Sequence, residues 1–222
     1  MSLLGIDTST AASAACVVRA DGEVFEVVPR VAELEGPPAH ARDLLPRVAE
    51  AMERAGVEPP ELESIAVGVG PGTFTGLRVG IATARALASA NGLRLRPVSS
   101  LAALAAGIDA PMRLPLIDAR RGELYAALHG PDGPVLRPFV ASPEEVVARV
   151  LETGANPLAV GDGSLRFCEL LEGAGVRVAE AGSTVHVVHA LHVCRLAADV
   201  PPVPPEAVLP TYLRAPDARP AS

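Results

Sequence analysis

A carboxylate followed by three hydroxyl groups stands near the N-terminus, where Asp7, Thr8, Ser9 and Thr10 end the apolar segment 2–8. That segment predicts a buried strand that runs into a polar loop. An aspartate and hydroxyls at the carboxyl end of a buried strand can orient a metal-bound water or contact a phosphate. The same residue types form Asx and ST turns, which need no ligand. These four residues are therefore candidates for a phosphate-binding loop, with a plain turn as the alternative.

A glycine-rich segment follows a later apolar strand, and residues 68–78 are Gly-Val-Gly-Pro-Gly-Thr-Phe-Thr-Gly-Leu-Arg. It does not match the dinucleotide-binding pattern, because Thr73 stands where the third glycine is needed. It also lacks the lysine of a Walker loop. What remains is a strand-to-helix turn whose amide groups could face an anion. The alternative is that the glycines only let the helix and strand pack closely.

Three histidines, His186, His189 and His192, recur at every third position. On an ideal helix they spread over about 120°. They also lack the glutamate of the His-Glu-x-x-His zinc pattern. We therefore expect a partly exposed helix face at these residues and no metal.

Four charged residues, Asp118, Arg120, Arg121 and Glu123, lie within the segment 118–125, which predicts a strand–turn–strand. They could clamp a substrate, and the alternative is a solvated hairpin held by salt bridges. The sequence contains no Ser/His/Asp set or nucleophile elbow at usable spacing. No catalytic residue is therefore predicted.

Composition excludes several classes of protein. The 222 residues are 49% hydrophobic and 20% charged, as in ordinary globular proteins. Every basic residue is an arginine, which excludes centres that need a lysine amine. The 19 basic and 26 acidic residues give a net charge of −7, unlike an autonomous nucleic-acid binder. No signal peptide or stretch of membrane-spanning length is visible, so we expect a cytoplasmic protein and no membrane contact.

The order of predicted elements indicates two α/β lobes, because a cycle of strands and helices restarts after residue 111. The predicted helices are 40–55, one from Thr73 or Thr75 to about 91, 100–106, 142–152, and two near 164–172 and 184–199. The expected divisions are an N-terminal lobe at 1–106, a smaller C-terminal lobe at 107–200, and a proline-rich linker with a tail at 201–222. The tail could pack back on a lobe.

Taken together, these motifs resemble the TsaB (YeaZ) family, bacterial relatives of TsaD in the actin/Hsp70-like ATPase superfamily. The resemblance runs in order along the whole chain, and residues 70–78 are its most specific part. The matching segments are 4–10, His40 with 44–46, 65–80, 98–101, 118–125 and 210–214. The resemblance implies an α/β fold of two ribonuclease-H-like lobes.

The same resemblance implies a function in making N6-threonylcarbamoyladenosine, next to the anticodon of tRNAs that read codons starting with A. In that pathway TsaD transfers the threonylcarbamoyl group and TsaB is its non-catalytic partner. TsaE supplies an ATPase that docks, with ATP, on the TsaB–TsaD pair. The chain would contact tRNA only indirectly and could form a homodimer when alone. The alternative is an enzyme with residual glycoprotease-like hydrolase or ATP-binding activity.

The resemblance also allows a test for catalysis. TsaD holds its metal with a His-x-x-x-His pair just after the strand that follows the glycine-rich helix. Ser100 and Leu104 occupy those positions here, and neither replaces imidazole as a ligand. The loop at residues 7–10 also lacks the glycine of the superfamily's phosphate loop. We therefore expect a chain without catalysis, metal or cofactor, in which residues 7–10 are a vestigial phosphate loop.

The resemblance places the partner contact on the helices 40–55 and 74–91. The first offers long apolar side chains, and the second offers small residues four apart that let helices approach closely. The predicted contact residues are Leu44, Leu45, Val48, Met52, Leu77, Gly80, Ile81, Ala84 and Ala88. A charge at Ile81 or Ala84 is accordingly expected to break the contact. The sequence does not decide which of these residues point outward.

The charge balance predicts weak binding of tRNA by this chain alone. With a net charge of −7, few phosphates can be neutralised, so the salt-dependent part of the binding free energy is small. We expect a dissociation constant no tighter than about 1 μM at physiological salt. Filter binding or fluorescence anisotropy with labelled tRNA measures it, and a sub-micromolar constant would contradict the prediction.

Overall fold

The computed structural model describes residues 2–214, and a mixed five-stranded sheet forms its first lobe. Its strands are β1 (Ser2–Asp7), β2 (Ala14–Val18), β3 (Val24–Val27), β4 (Leu62–Gly68) and β5 (Arg94–Val98). The order across the sheet is β3-β2-β1-β4-β5. The first three strands form an antiparallel meander, whereas β4 and β5 continue the sheet in parallel with β1.

The second lobe repeats this topology. Its strands are β6 (Arg113–Arg120), β7 (Glu123–Gly130), β8 (Gly133–Ala141), β9 (Leu158–Val160) and β10 (Arg177–Val178). Again an antiparallel meander, β6-β7-β8, is extended by two parallel strands, and the order is β10-β9-β6-β7-β8. The predicted α/β fold of two ribonuclease-H-like lobes is confirmed, although the repeat is invisible in the sequence.

Helices connect and cover the sheets. They are α1 (His40–Ala55), α2 (Phe74–Asn91), α3 (Ser100–Ala106), α4 (Pro143–Glu152), α5 (Asp162–Arg166), α6 (Cys168–Gly173) and α7 (Ala190–Ala197). The two long helices end at Gly56 and Gly92, whose φ values of 62° and 65° suit glycine. Within residues 2–214, no helix is both long and apolar enough to span a bilayer.

The C-terminal helices differ from the prediction in extent and place. The predicted helix 164–172 is split at Phe167, whose φ of −115° is not helical. The predicted helix 184–199 is a 3-10 turn at Thr184–His186, an extended Val187, and then α7. Although α7 falls in the range expected for the second lobe, it packs on β1 and β2 of the first. Gly5 permits this, because a Cβ there would lie 2.5 Å from Cys194 Sγ.

The proline-rich segment after α7 packs back on the first lobe. Val203 exchanges backbone hydrogen bonds with Leu95 on β5. Val208 is buried in the core of that lobe, and the amide of Thr211 donates to Val69 O at 2.8 Å. The expected tail at 201–222 therefore lies against the first lobe as far as Thr211, and Arg214 reaches the second lobe, where it pairs with Glu123. Its residues 215–222 lie outside the described part of the chain.

Helix α2 crosses the first loop at very short range. Thr8 Oγ1 donates a hydrogen bond of 2.7 Å to Gly76 O. A Cβ at Gly80 would lie 2.2 Å from Thr8 Oγ1, and one at Gly76 would lie 2.1 Å from Thr8 O. The glycines of α2 thus serve close packing, which was one of the two interpretations of the glycine-rich segment.

This contact predicts that Gly80→Ala destabilises the protein. Alanine normally stabilises a helix by about 1 kcal/mol relative to glycine. At Gly80 the methyl group overlaps Thr8, so we expect a net loss of about 1–3 kcal/mol in the free energy of unfolding. Urea denaturation measures the change.

The matched control is Gly173→Ala at the end of α6, where a Cβ meets no atom within 4 Å. It should leave stability unchanged or raise it. Equal effects of the two substitutions would contradict the close-packing argument.

Candidate functional site

The Asp7 carboxylate ties three elements together. Its Oδ1 accepts hydrogen bonds from the amide and the hydroxyl of Ser9, at 2.8 and 2.6 Å. Its Oδ2 accepts one from the Ser100 hydroxyl at 2.6 Å. The Ser100 oxygen in turn accepts from the amide of Gly70 at 3.2 Å. The side chain of Asp7 therefore links the end of β1 to the glycine-rich turn and to the start of α3.

This carboxylate is closed off from solvent. Asp7 is 2% exposed, and burial raises its pKa although the hydrogen bonds from Ser100 and Ser9 oppose the shift. A Cβ on the neighbouring Gly68 would lie 1.8 Å from Asp7 Oδ2. The glycine thus lets β4 pass directly over the carboxylate, so the cluster is part of the core.

The other polar groups of the first loop are also used within the protein. Thr8 donates to α2, and Thr10 Oγ1 accepts from the amide of Ala12 at 3.4 Å. The carbonyl of Ser9 accepts from the amide of Thr73 at 2.7 Å. All of these loop residues are buried. Phosphate binding by residues 7–10 stays a prediction, and it would require this loop to separate from α2.

The residues at the positions of the TsaD metal ligands do not fit a metal. Ser100 is fully buried and its hydroxyl is shared between Asp7 and Gly70, while Leu104 is 1% exposed in an apolar cluster. Across residues 2–214, no group of three His, Cys, Asp or Glu side chains is placed to hold a metal ion.

The histidines do not form the exposed helix face that was predicted. His186 lies in the 3-10 turn and is fully buried, where its Nδ1 lies 3.1 Å from the amide nitrogen of Gly161. His189 Nδ1 lies 3.1 Å from Glu26 Oε2, and this contact raises the pKa of His189. The prediction was wrong because Val187 leaves the helical conformation between the first two histidines.

A second carboxylate cluster lies at the β6–β7 hairpin. Asp118, 4% exposed, accepts from Arg120 at 3.1 Å and from Arg166 on α5 at 2.7 Å. Its amide donates to Asp162 Oδ1 at 3.1 Å. Burial, together with the charge of Asp118, raises the pKa of Asp162 to about 6. The hairpin is thus held by salt bridges, but its central carboxylate is buried rather than solvated.

Seven of the nine residues predicted for partner contact lie in the core of this chain. They are Leu44, Val48, Leu77, Gly80, Ile81, Ala84 and Ala88. Partner contact through these residues stays a prediction, although their side chains are buried because the apolar stripes of α1 and α2 face their own sheet. A charge at Ile81 or Ala84 would unfold the chain rather than test a contact. Of the other two, Leu45 is 53% exposed and Met52 is half-buried.

The outer side of the same helix pair carries a different set of residues. We call it the α1–α2 face, and its exposed members are Ala41, Leu45, Ala49, Ala82 and Ala86. The two helices touch each other, and Arg42 on α1 and Arg78 on α2 are exposed beside these residues. Sequence reasoning found only Leu45. The spacing of four between Ala41, Leu45 and Ala49 was the available signal, but the stronger buried stripe obscured it.

The raised pKa of Asp162 predicts a pH-dependent stability. The folded state holds the proton up to about pH 6, whereas the unfolded carboxyl loses it near pH 3.8. The stabilisation from the neutral form is therefore complete below about pH 4 and is lost as the pH rises to about 6, by about 3 kcal/mol in total. Urea unfolding of the parent and of Asp162→Asn across this range isolates the effect. Parallel pH profiles for the two proteins would contradict it.

Comparisons with known proteins show which family the chain resembles in sequence and in fold. The chain matches the family described as TsaD: tRNA N6-adenosine threonylcarbamoyltransferase over residues 23–197. It is 30% identical to TsaB of Escherichia coli, a tRNA threonylcarbamoyladenosine biosynthesis protein, over 96% of this chain and 95% of that protein. It is 35% identical to the uncharacterized protein ML0378 of Mycobacterium leprae over 98% of this chain, and it spans about half (56%) of that relative.

A solved structure agrees as well. It is a Pseudomonas aeruginosa protein described as having similarity to the peptidase YEAZ, and it superposes with a TM-score of 0.76 at 30% identity. The superposition covers 96% of this chain and 99% of that one. The sequence and structure matches extend over nearly the whole chain. The chain belongs to the TsaB (YeaZ) family of tRNA threonylcarbamoyladenosine biosynthesis proteins.

Proposed function

We propose that this chain is the non-catalytic partner of a TsaD-type threonylcarbamoyltransferase and that it serves N6-threonylcarbamoyladenosine formation in tRNA. Its contribution is a surface rather than a reacting group. TsaE with ATP would dock on the resulting pair, and tRNA would be held by the complex. The complex would act in the cytoplasm.

The observation that carries this proposal is the α1–α2 face, with the exposed Leu45 among alanines. Leu45 leaves 53% of its surface in water, and Ala41, Ala49, Ala82 and Ala86 are exposed on the same two helices. Small residues let a second pair of helices approach closely, and Leu45 can fill the space between them. The family match fits TsaD as the owner of that second helix pair. In the absence of TsaD, the α1–α2 face of a second copy of this chain could bind the same surface and form a homodimer.

The lack of catalysis is supported by the first loop. A reacting carboxylate needs access to its substrate, whereas Asp7 is 2% exposed and bonded to Ser9 and Ser100. The alternative is a residual hydrolase or ATP-binding activity of the chain itself. The Pseudomonas aeruginosa relative is described as having similarity to a peptidase, which favours a hydrolase as the second candidate function. ATP hydrolysis or peptide cleavage by the purified chain alone would support that alternative.

The proposal predicts that Leu45→Glu weakens binding to the cognate TsaD. A carboxylate buried without a partner in a helix interface costs about 3 kcal/mol, which is about a hundredfold in affinity. Because Leu45 is half-exposed in the isolated chain, the substitution should leave folding intact. Isothermal titration calorimetry or sedimentation of the mixture measures the dissociation constant.

The matched control is Leu151→Glu on α4 of the second lobe. Leu151 is also 53% exposed, so in both variants the new carboxylate stays in contact with water in the isolated chain. We expect Leu151→Glu to bind TsaD as the parent does. Equal affinities for both variants would show that the α1–α2 face is not the contact.

A further inference from the structure

Three large apolar side chains stay exposed side by side where the tail runs along α2. Phe74 at the start of α2 and Tyr212 on the tail stack with ring centroids 5.4 Å apart, and they are 41% and 38% exposed. Leu209, also on the tail, is 68% exposed, more than any other large hydrophobic residue within 2–214. Exposed apolar residues that are scattered singly need no explanation, whereas a contiguous group marks a contact with another molecule.

The tail and α2 enclose a groove of about 430 Å³ beside these side chains. Arg78, Ala82 and Arg85 line it from the helix, and their spacing of four and three places them on one stripe of α2. Leu209 and Tyr212 line it from the tail. The small side chain of Ala82 leaves space between the two arginines. The groove therefore combines an apolar wall with two guanidinium groups.

The groove is continuous with the α1–α2 face. Ala82 is a member of that face and also lines the groove. A partner that covers Ala82 on the helix pair therefore borders directly on the tail. This continuity favours the same partner for both surfaces.

Both arginines of the groove are fixed by uncharged groups. Arg78 Nε donates to the Tyr212 hydroxyl at 3.3 Å, and its guanidinium lies 3.7 Å from the ring centroid of Phe74. Arg85 Nη2 donates to two backbone carbonyl groups of the tail. Within residues 2–214, neither arginine forms a salt bridge. A guanidinium that is held in place but not neutralised is suited to a carboxylate, which it can bind through two N–H groups.

We propose that this groove is a second contact for the TsaD-type partner, and that it binds a partner segment in which a carboxylate adjoins an apolar side chain. The carboxylate pairs with Arg78, and the apolar side chain packs on Leu209 beside Ala82. The inference rests on the proposed function, because it takes TsaD as the protein that covers the α1–α2 face. It adds a site on the tail and the chemistry that this site selects.

A leucine substitution tests the apolar half of the site. Leu209→Ala should weaken binding to the cognate TsaD about tenfold, because the partner covers a side chain that water reaches in the isolated chain. Its exposure of 68% implies an unchanged urea midpoint. The matched control is Leu151→Ala on α4, which also shortens an exposed leucine and should bind TsaD as the parent does. Isothermal titration calorimetry with the full chain measures both dissociation constants.

A pair of arginine substitutions tests the charged half. Arg78→Gln and Arg94→Gln each remove one positive charge from an exposed residue of the first lobe, but only Arg78 lines the groove. We expect Arg78→Gln to weaken TsaD binding about tenfold and to lower its dependence on salt concentration, because a charge-assisted hydrogen bond is lost. Arg94→Gln should change the affinity less than about twofold. Mere loosening of the tail would not alter the salt dependence.

Three results would overturn the proposal. Parental affinity in both Leu209→Ala and Arg78→Gln, together with weak binding by Leu45→Glu, would confine the contact to the α1–α2 face and leave the proposed function intact. Equal losses in Arg78→Gln and Arg94→Gln would reduce the effect to net charge. Weaker self-association of Leu209→Ala in sedimentation, with unchanged affinity for TsaD, would make a second copy of this chain the occupant. A parent chain that does not bind TsaD at all is a different result, because it contradicts the proposed function as well.

Discussion

The fold of the first lobe depends on one buried carboxylate. Asp7 joins β1 to α3 through Ser100 and to its own loop through Ser9, and Gly68 passes over it without a side chain. A buried carboxylate is tolerated only when its oxygens are bonded, and here both oxygens have donors. The raised pKa of Asp7 records the cost of removing this group from water. Any side chain at Gly68 would displace the cluster.

The contact between α2 and the first loop buries the polar groups of that loop. Once Thr8 bonds to Gly76, α2 lies directly on the first loop, and the groups that could meet a phosphate face each other instead of solvent. Chemistry at the loop would require α2 to lift away. What stays accessible is the outer side of α1 and α2 and the groove between α2 and the tail. Both surfaces are positioned by the closely packed helix.

Local sequence patterns predicted the elements well where one strong signal acted. The helix from His40 to Ala55 has the predicted bounds because its apolar spacing and the left-handed Gly56 agree. The local patterns failed where tertiary packing decides which residues are exposed. Periodicity identifies the stripe of Leu44 and Val48 but not what covers it, so the sequence predicts a partner surface where the structure has a core. The groove between α2 and the tail was also beyond reach, since Arg78, Leu209 and Tyr212 are brought together only by the fold.

The central claim is that Asp7 is structural and that the chain contributes no reacting group. Asp7→Asn tests it, because an amide keeps the shape of the side chain but cannot act as a base or a metal ligand of the same charge. The measurement is threonylcarbamoyl transfer to tRNA by the cognate TsaD and TsaE, with saturating amounts of the folded variant. The account predicts the parental rate within about twofold. A loss of about a hundredfold or more, as expected when a general acid or base is removed, would contradict it.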